Sequence, residues 1–197
     1  SLHETNIAQR IEVIIEHFRT TVMEELGGHA KAMVITSSRA EAVKYRQAFQ
    51  NYVEKKGYKD IRALVAFSGK LTLDGNDYTE VGMNGFAEKN LPAEFDKDDY
   101  QVLLVADKYQ TGFDQPKLCA MYILKKLHGV TAVQTLSRLN RICKNKNSTF
   151  ILDFANTTEE IQNAFQPFYK ETQLEDKLSV EKLIEKQKIL HGYGMYT

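Results

Sequence analysis

Five short, almost uninterrupted apolar runs limit what this chain can fold into: KAMVIT (31–36), IRALVAF (61–67), QVLLVA (101–106), CAMYIL (119–124) and STFILDF (148–154). Each has strand length. None shows the strict alternation of a strand with one wet face, so each reads as a strand covered on both faces. Helical patterns sit between most of them, at 39–56, in a poorly defined stretch near 83–95, and at 132–143. Another helix follows the last strand. This alternation implies a three-layer α/β domain with a mainly parallel sheet of at least five strands and right-handed crossovers. In such sheets ligands gather at the carboxyl ends of the strands, so the loops there are the first place to look for chemistry.

The remaining segments fit around that sheet. Ile7, Ile11, Ile14, Ile15, Phe18, Val22 and Leu26 recur at helical spacing, and Gly27-Gly28 stops the helix. Ser38 with Glu41, and Thr157 with Glu160, have the spacing of capping boxes. Gly57 ends the helix that Ser38 opens. The turn-rich stretch 70–82, with LDGND, reads as an exposed insertion. The expected division is an N-terminal helix from a preceding linker (1–28), the α/β domain (29–171) and the start of a following helical region (172–197). The chain lacks an initiator Met and opens and closes on helical patterns, which reads as a piece of a longer protein.

Composition removes several classes. With 43% hydrophobic and 26% charged residues the chain is ordinary for a globular protein. No apolar run approaches the roughly 20 residues of a membrane span, and no signal peptide is visible. Cys119 and Cys143 lack CxxC spacing and the histidines are scattered, so neither a disulfide framework nor a metal site is indicated. A cytoplasmic protein is expected. The net charge of +0 hides an uneven distribution. Seven lysines and arginines and no acid lie between Gln115 and Leu152, whereas eight acids face three lysines from Lys70 to Tyr100. The basic segment suggests a local anionic partner.

Four loops follow strands. After 31–36 comes TSSR, where hydroxyls, free N–H groups at a helix start and Arg39 make an anion site available, although on this stretch alone a Ser38 that only caps the helix and a solvated Ser37 are the simpler account. After 61–67 comes SGK, which fails the phosphate-loop pattern GxxxxGK[ST] because Leu64 and Leu71 occupy required positions. After 101–106 comes DKYQTGFDQPK (107–117), which holds a hydroxyl, a carboxylate, an aromatic ring and two lysines, or else is plain turn chemistry. Last comes AVQTLSRLNR (132–141). Here Thr131 and Gln134 suit a capping box, and Gln134, Arg138 and Arg141 share one face of a regular helix. Two arginines without an acid on that face suit phosphate oxygens. FILD (150–153) resembles a Mg²⁺-binding strand end but lacks the accompanying lysine loop.

With these loops in order, the chain resembles the second RecA-like lobe of a superfamily 2 helicase motor, and more narrowly the restriction (R, motor) subunit of type I restriction–modification enzymes. KAMVITSSRAEAVKY (31–45) resembles motif IV, and LVAFSG (64–69) follows it. LLVADKYQTGFDQPKLCAMYI (103–123) resembles motif V and AVQTLSRLNR motif VI, while FILDFANTTEEIQNAFQPFY (150–169) continues the match. Ser137 stands where many helicases have Gly before the first arginine of motif VI, which fits the restriction branch better than the RNA-helicase branch.

The resemblance implies roles. Arg141 is the expected arginine finger on the γ-phosphate of ATP, a device worth on the order of 10³–10⁵ in rate, with Arg138 and Gln134 supporting it. Gly112 and Asp114 are expected to approach the nucleotide. Thr36, Ser37, Ser38, Arg39, Ser68, Gly69, Lys108 and Thr111 are expected near the DNA backbone, where contacts carry no sequence information. It further implies ATP and Mg²⁺ held mainly by a first lobe absent from this chain. The implied partners are double-stranded DNA, that lobe and a nuclease domain of the same chain, and modification and specificity subunits. The parent would be a type I site-specific deoxyribonuclease with ATP-dependent translocation; this chain alone is expected to bind no cofactor, hydrolyse no ATP and cut no DNA. A nucleic-acid-binding module without motor activity is the competing reading.

Overall fold

A computed structural model describes residues 2–109 and 113–169. The expected region 172–197 lies outside them. The five apolar runs become β1 (Lys31–Ile35), β2 (Ala63–Ala66), β5 (Val102–Val105), β6 (Leu118–Ile123) and β7 (Phe150–Asp153). They form one all-parallel sheet in the order β2-β5-β1-β6-β7. The register aligns Ala66, Val105, Ile35, Ile123 and Asp153 in one row across it. All five following loops therefore leave from the same level.

Strand alternation sends successive side chains to opposite faces. Ala32, Val34, Val65, Leu104 and Tyr122 meet α1 (Leu2–His17) and α2 (Arg39–Lys56) on one face. Met33, Leu64, Leu103, Met121 and Ile151 meet α4 (Leu91–Asp96), α5 (Gly129–Ser137) and α6 (Thr158–Tyr169) on the other. This is the expected three-layer α/β architecture. The seven apolar positions from Ile7 to Leu26 are all buried, and α1 packs into the same core as α2 and the sheet. Ser38 Oγ accepts from Glu41 N–H at 3.1 Å, and left-handed Gly57 closes α2. The Glu41 carboxylate bonds His3.

The stretch 70–82 is more ordered than turn composition implied. Its Asp74-Gly75 pair, both at positive φ, makes the two-residue turn of an antiparallel hairpin between β3 (Leu71–Leu73) and β4 (Asn76–Tyr78). The short α3 (Glu80–Asn84) then lies along β2. The Asn84 amide donates to the Val65 carbonyl at 2.7 Å and accepts from its N–H at 2.9 Å. One turn earlier, Glu80 accepts from the Phe67 N–H at 3.1 Å.

One polar group sits deep in the first face. His17 is 1% exposed and shares a 2.7 Å hydrogen bond with the Tyr122 hydroxyl. Desolvation lowers its pKa to about 4. The folded state thus binds fewer protons than the unfolded one between the ordinary value of 6.5 and about 4. The stability from neutral His17 is fully present above that window and is lost as pH falls through it. Unfolding in urea should show about 3 kcal/mol of pH-dependent loss across this interval, at 1.36 kcal/mol per pKa unit. The slope should flatten in His17→Gln.

Candidate functional site

The row of strand ends brings the four loops to one edge. In the first, Thr36 is fully buried and its hydroxyl donates to the Val105 carbonyl at 2.7 Å. Ser37 is exposed, while Ser38 is occupied as the cap of α2. Arg39 turns back to donate to the carbonyls of Ser68 and Lys70 at 3.1 and 3.2 Å. It thereby shapes the second loop, where Ser68 and Gly69 are exposed. Gly69 has φ +74, a left-handed backbone that favours glycine, and a Cβ there would lie a tight 3.3 Å from Arg39 Nη1.

The third loop starts under tension. Asp107 and Tyr109 both adopt left-handed conformations, at φ 50 and 61, which non-glycine residues seldom take. Asp107 is held by Lys125 at 2.9 Å, and the Tyr109 ring packs 4.7 Å from that of Phe113. Lys108 points inward. Its ammonium lies 2.7 Å from Glu80 and 3.6 Å from Glu88, so its charge is met within the protein. Thr111 and Gly112 lie outside the described residues. Asp114 is exposed and pairs with Arg141 at 3.2 Å.

The fourth segment corrects the expected helix. α5 begins at Gly129, whose φ of +49 turns the chain a full step before Thr131, and its N-cap is His128. Thr131 is therefore inside the helix and makes no capping box with Gln134, which is exposed. At Arg138 the helix tightens to a 3₁₀ turn that ends at Asn140, and Arg141 leaves in extended backbone. Arg138 and Arg141 thus do not share a regular helix face. The tighter turn directs Arg138 inward above the strand ends, and the extended exit sends Arg141 out to solvent.

Their environments differ sharply. Arg138 is 7% exposed and its Nη1 is buried with no hydrogen-bond partner. Burial lowers its pKa, and the nearby Arg141 charge adds to that. It borders a cavity of about 20 Å³ at the ends of β1 and β5, together with Asp107, Tyr109, Lys125, Thr131 and Thr135. A space of that size holds roughly one water and no nucleotide. A roomier cavity of about 440 Å³ lies between α1, α2 and the hairpin, away from this edge. Among the described residues no cluster of three His, Cys, Asp or Glu could hold a metal ion. Asp153 of FILD accepts from the N–H groups of Ala155 and Asn156 at 2.8 Å, which gives it a structural task.

Sequence reasoning missed Glu80, Asp107 and Lys125. The first stood among many acids in an acidic stretch, and no spacing set it apart. The other two were counted only as turn and charge composition.

Residues 75–156 match the family model for type I restriction enzyme subunit R domain 3. The chain is 28% identical over 189 residues to the putative type I restriction enzyme MjaIXP endonuclease subunit of Methanocaldococcus jannaschii, covering 95% of this chain and 17% of that protein. It is 33% identical over 78 residues to the type I restriction enzyme HindI endonuclease subunit of Haemophilus influenzae, covering 38% of this chain and 7% of that one. A solved structure of Mss116p DEAD-box helicase domain 2 bound to an RNA duplex aligns with TM-score 0.48 and 20% identity, covering 81% of this chain and 56% of that one. The chain therefore spans less than a fifth of these curated relatives. The resemblance to the type I restriction subunit is borne out, and the matched stretch includes both the loop after β5 and the arginine pair.

A buried guanidinium without a partner costs stability, and exchange for an apolar side chain of similar length removes that cost. Arg138→Met should leave the urea unfolding free energy unchanged or raise it by about 1–3 kcal/mol. A loss of that size would mean that Arg138 is a structural residue.

Proposed function

We propose that this chain, whose residues 75–156 match a restriction-subunit domain, is the second RecA-like lobe of an ATP-driven DNA translocase, the motor of a type I restriction endonuclease. One observation carries the reading: two arginines stand at the ligand edge of the sheet, and the buried Arg138 Nη1 has no partner. An unmet buried cationic donor at this edge is a place that an anion can complete. The cavity beside it is too small for a nucleotide, so the phosphate comes from a neighbouring unit, in this reading the first lobe.

In that arrangement Arg141 is the finger on the γ-phosphate, its exposed guanidinium in a surface pair with Asp114 that contributes little by itself. Arg138 supports it from below. Gln134, Gly112 and Asp114 are the remaining nucleotide-side candidates. ATP is the substrate, and Mg²⁺ would neutralise its phosphates from the first lobe. DNA-backbone contact falls to the exposed Ser37, Ser68 and Gly69, with Thr111 beyond the described residues. Thr36, Ser38 and Arg39 serve by shaping those loops. Lys108 would reach DNA only by leaving two carboxylates. The further partners in this reading are a nuclease domain and the modification and specificity subunits, in the cytoplasm. The chain alone hydrolyses no ATP and cuts no DNA.

Arg141→Ala in the full-length parent subunit tests the assignment. DNA-stimulated ATP turnover should fall by roughly 10³-fold or more, the scale of an arginine finger, while DNA affinity changes little. Loss of DNA affinity with turnover retained would instead favour a binding module.

A further inference from the structure

We infer that Glu80 is a positioning residue that couples the loop after β2 to the loop after β5, so that the two candidate DNA-facing segments move as one. This rests on the motor reading above. Glu80 belongs to α3, outside the sheet, yet it is 1% exposed. A single oxygen, Oε1, accepts both the Phe67 N–H at 3.1 Å and the Lys108 ammonium at 2.7 Å. Phe67 directly precedes Ser68-Gly69. Lys108 lies between the two left-handed residues, Asp107 and Tyr109, with which the other loop begins.

The arrangement is poorly suited to stability alone. Glu80 Oε2 is buried with no hydrogen-bond partner, and an apolar side chain would cover β2 without burying a carboxylate. It is well suited to transmitting displacement. α3 is capped within itself by the Thr79 hydroxyl accepting from the Gly82 N–H at 2.9 Å, and it is tied to the β2 side by Glu80 on Phe67 and, one turn on, by the Asn84 amide on Val65. Glu80 therefore has little freedom relative to β2, and a shift of Lys108 pulls on Phe67. Arg39 fixes the same β2 loop from α2. Burial raises the Glu80 carboxyl above its usual range, and Lys108 opposes that rise.

The experiment measures DNA-stimulated ATP turnover in the full-length parent subunit. Glu80→Gln keeps an acceptor for Phe67 but removes the nearer of the two carboxylates that face Lys108, leaving Glu88 at 3.6 Å. The DNA concentration giving half-maximal stimulation should rise about tenfold, a coupling typical of residues in one network, with KM for ATP within about twofold. Adding Lys108→Gln creates a neutral amide pair that can hydrogen bond, and should bring half-saturation back to within about threefold of wild type. An unchanged half-saturation in Glu80→Gln overturns the inference, as does a lowered thermal midpoint with no effect on DNA. Failure of the double variant to recover also overturns it, because Lys108 would then be touching DNA itself. A wild-type subunit without DNA-stimulated turnover removes the motor reading as well, so the two failures are distinguishable.

Discussion

Parallel strand pairing is the constraint on which the rest depends. Because all five strands run the same way and Ala66, Val105, Ile35, Ile123 and Asp153 lie in one row, no following loop can avoid the common edge. The crossovers must then return along the faces, which is why every strand is apolar on both sides. From β1 the chain passes to β2 on one side, and from β6 to β7 on the other, so the loops diverge around the centre of the sheet. Asp107, Lys125 and Arg138 meet there. The site is thus a product of topology before it is a product of particular side chains.

The edge concentrates unlike electrostatic situations. Asp107 with Lys125 and Lys108 with Glu80 are matched pairs that fix the start of one loop. Arg138 is the opposite case, desolvated with an unmet donor and pushed toward its neutral form by burial and by Arg141. A core that excludes water from a cation without supplying an anion leaves free energy to be recovered when one arrives. In the motor proposed above, that recovery distinguishes the buried Arg138 from the exposed Arg141.

How much of this was readable depended on how locally each feature is determined. The strands were legible because a double-sided apolar run has few other uses, and α2 because Ser38 and Gly57 mark its ends with side-chain and backbone chemistry of their own. The start of α5 was not, since Thr131 and Gln134 have capping spacing while the real start depends on Gly129 taking positive φ. The separation of Arg138 from Arg141 depended on a tightened last turn, which leaves no mark in a periodic pattern. Thr36 looked like a free hydroxyl because its partner, the Val105 carbonyl, is 69 positions away. Glu80 was hidden for the same reason: its meaning comes from Phe67 and Lys108, which only the fold brings together.

The amide of Asn84 on Val65 has a consequence of its own. β2 is an outer strand, and an outer strand with open N–H and C=O groups is a template on which another chain can add a strand. Here Asn84 and Glu80 occupy that template with side chains. The hairpin and α3, an insertion between β2 and β5, therefore act as a guard against intermolecular pairing. A shortened relative that dispensed with this segment would need another stopper, such as a proline or an inward charge on β2, to keep that edge from pairing.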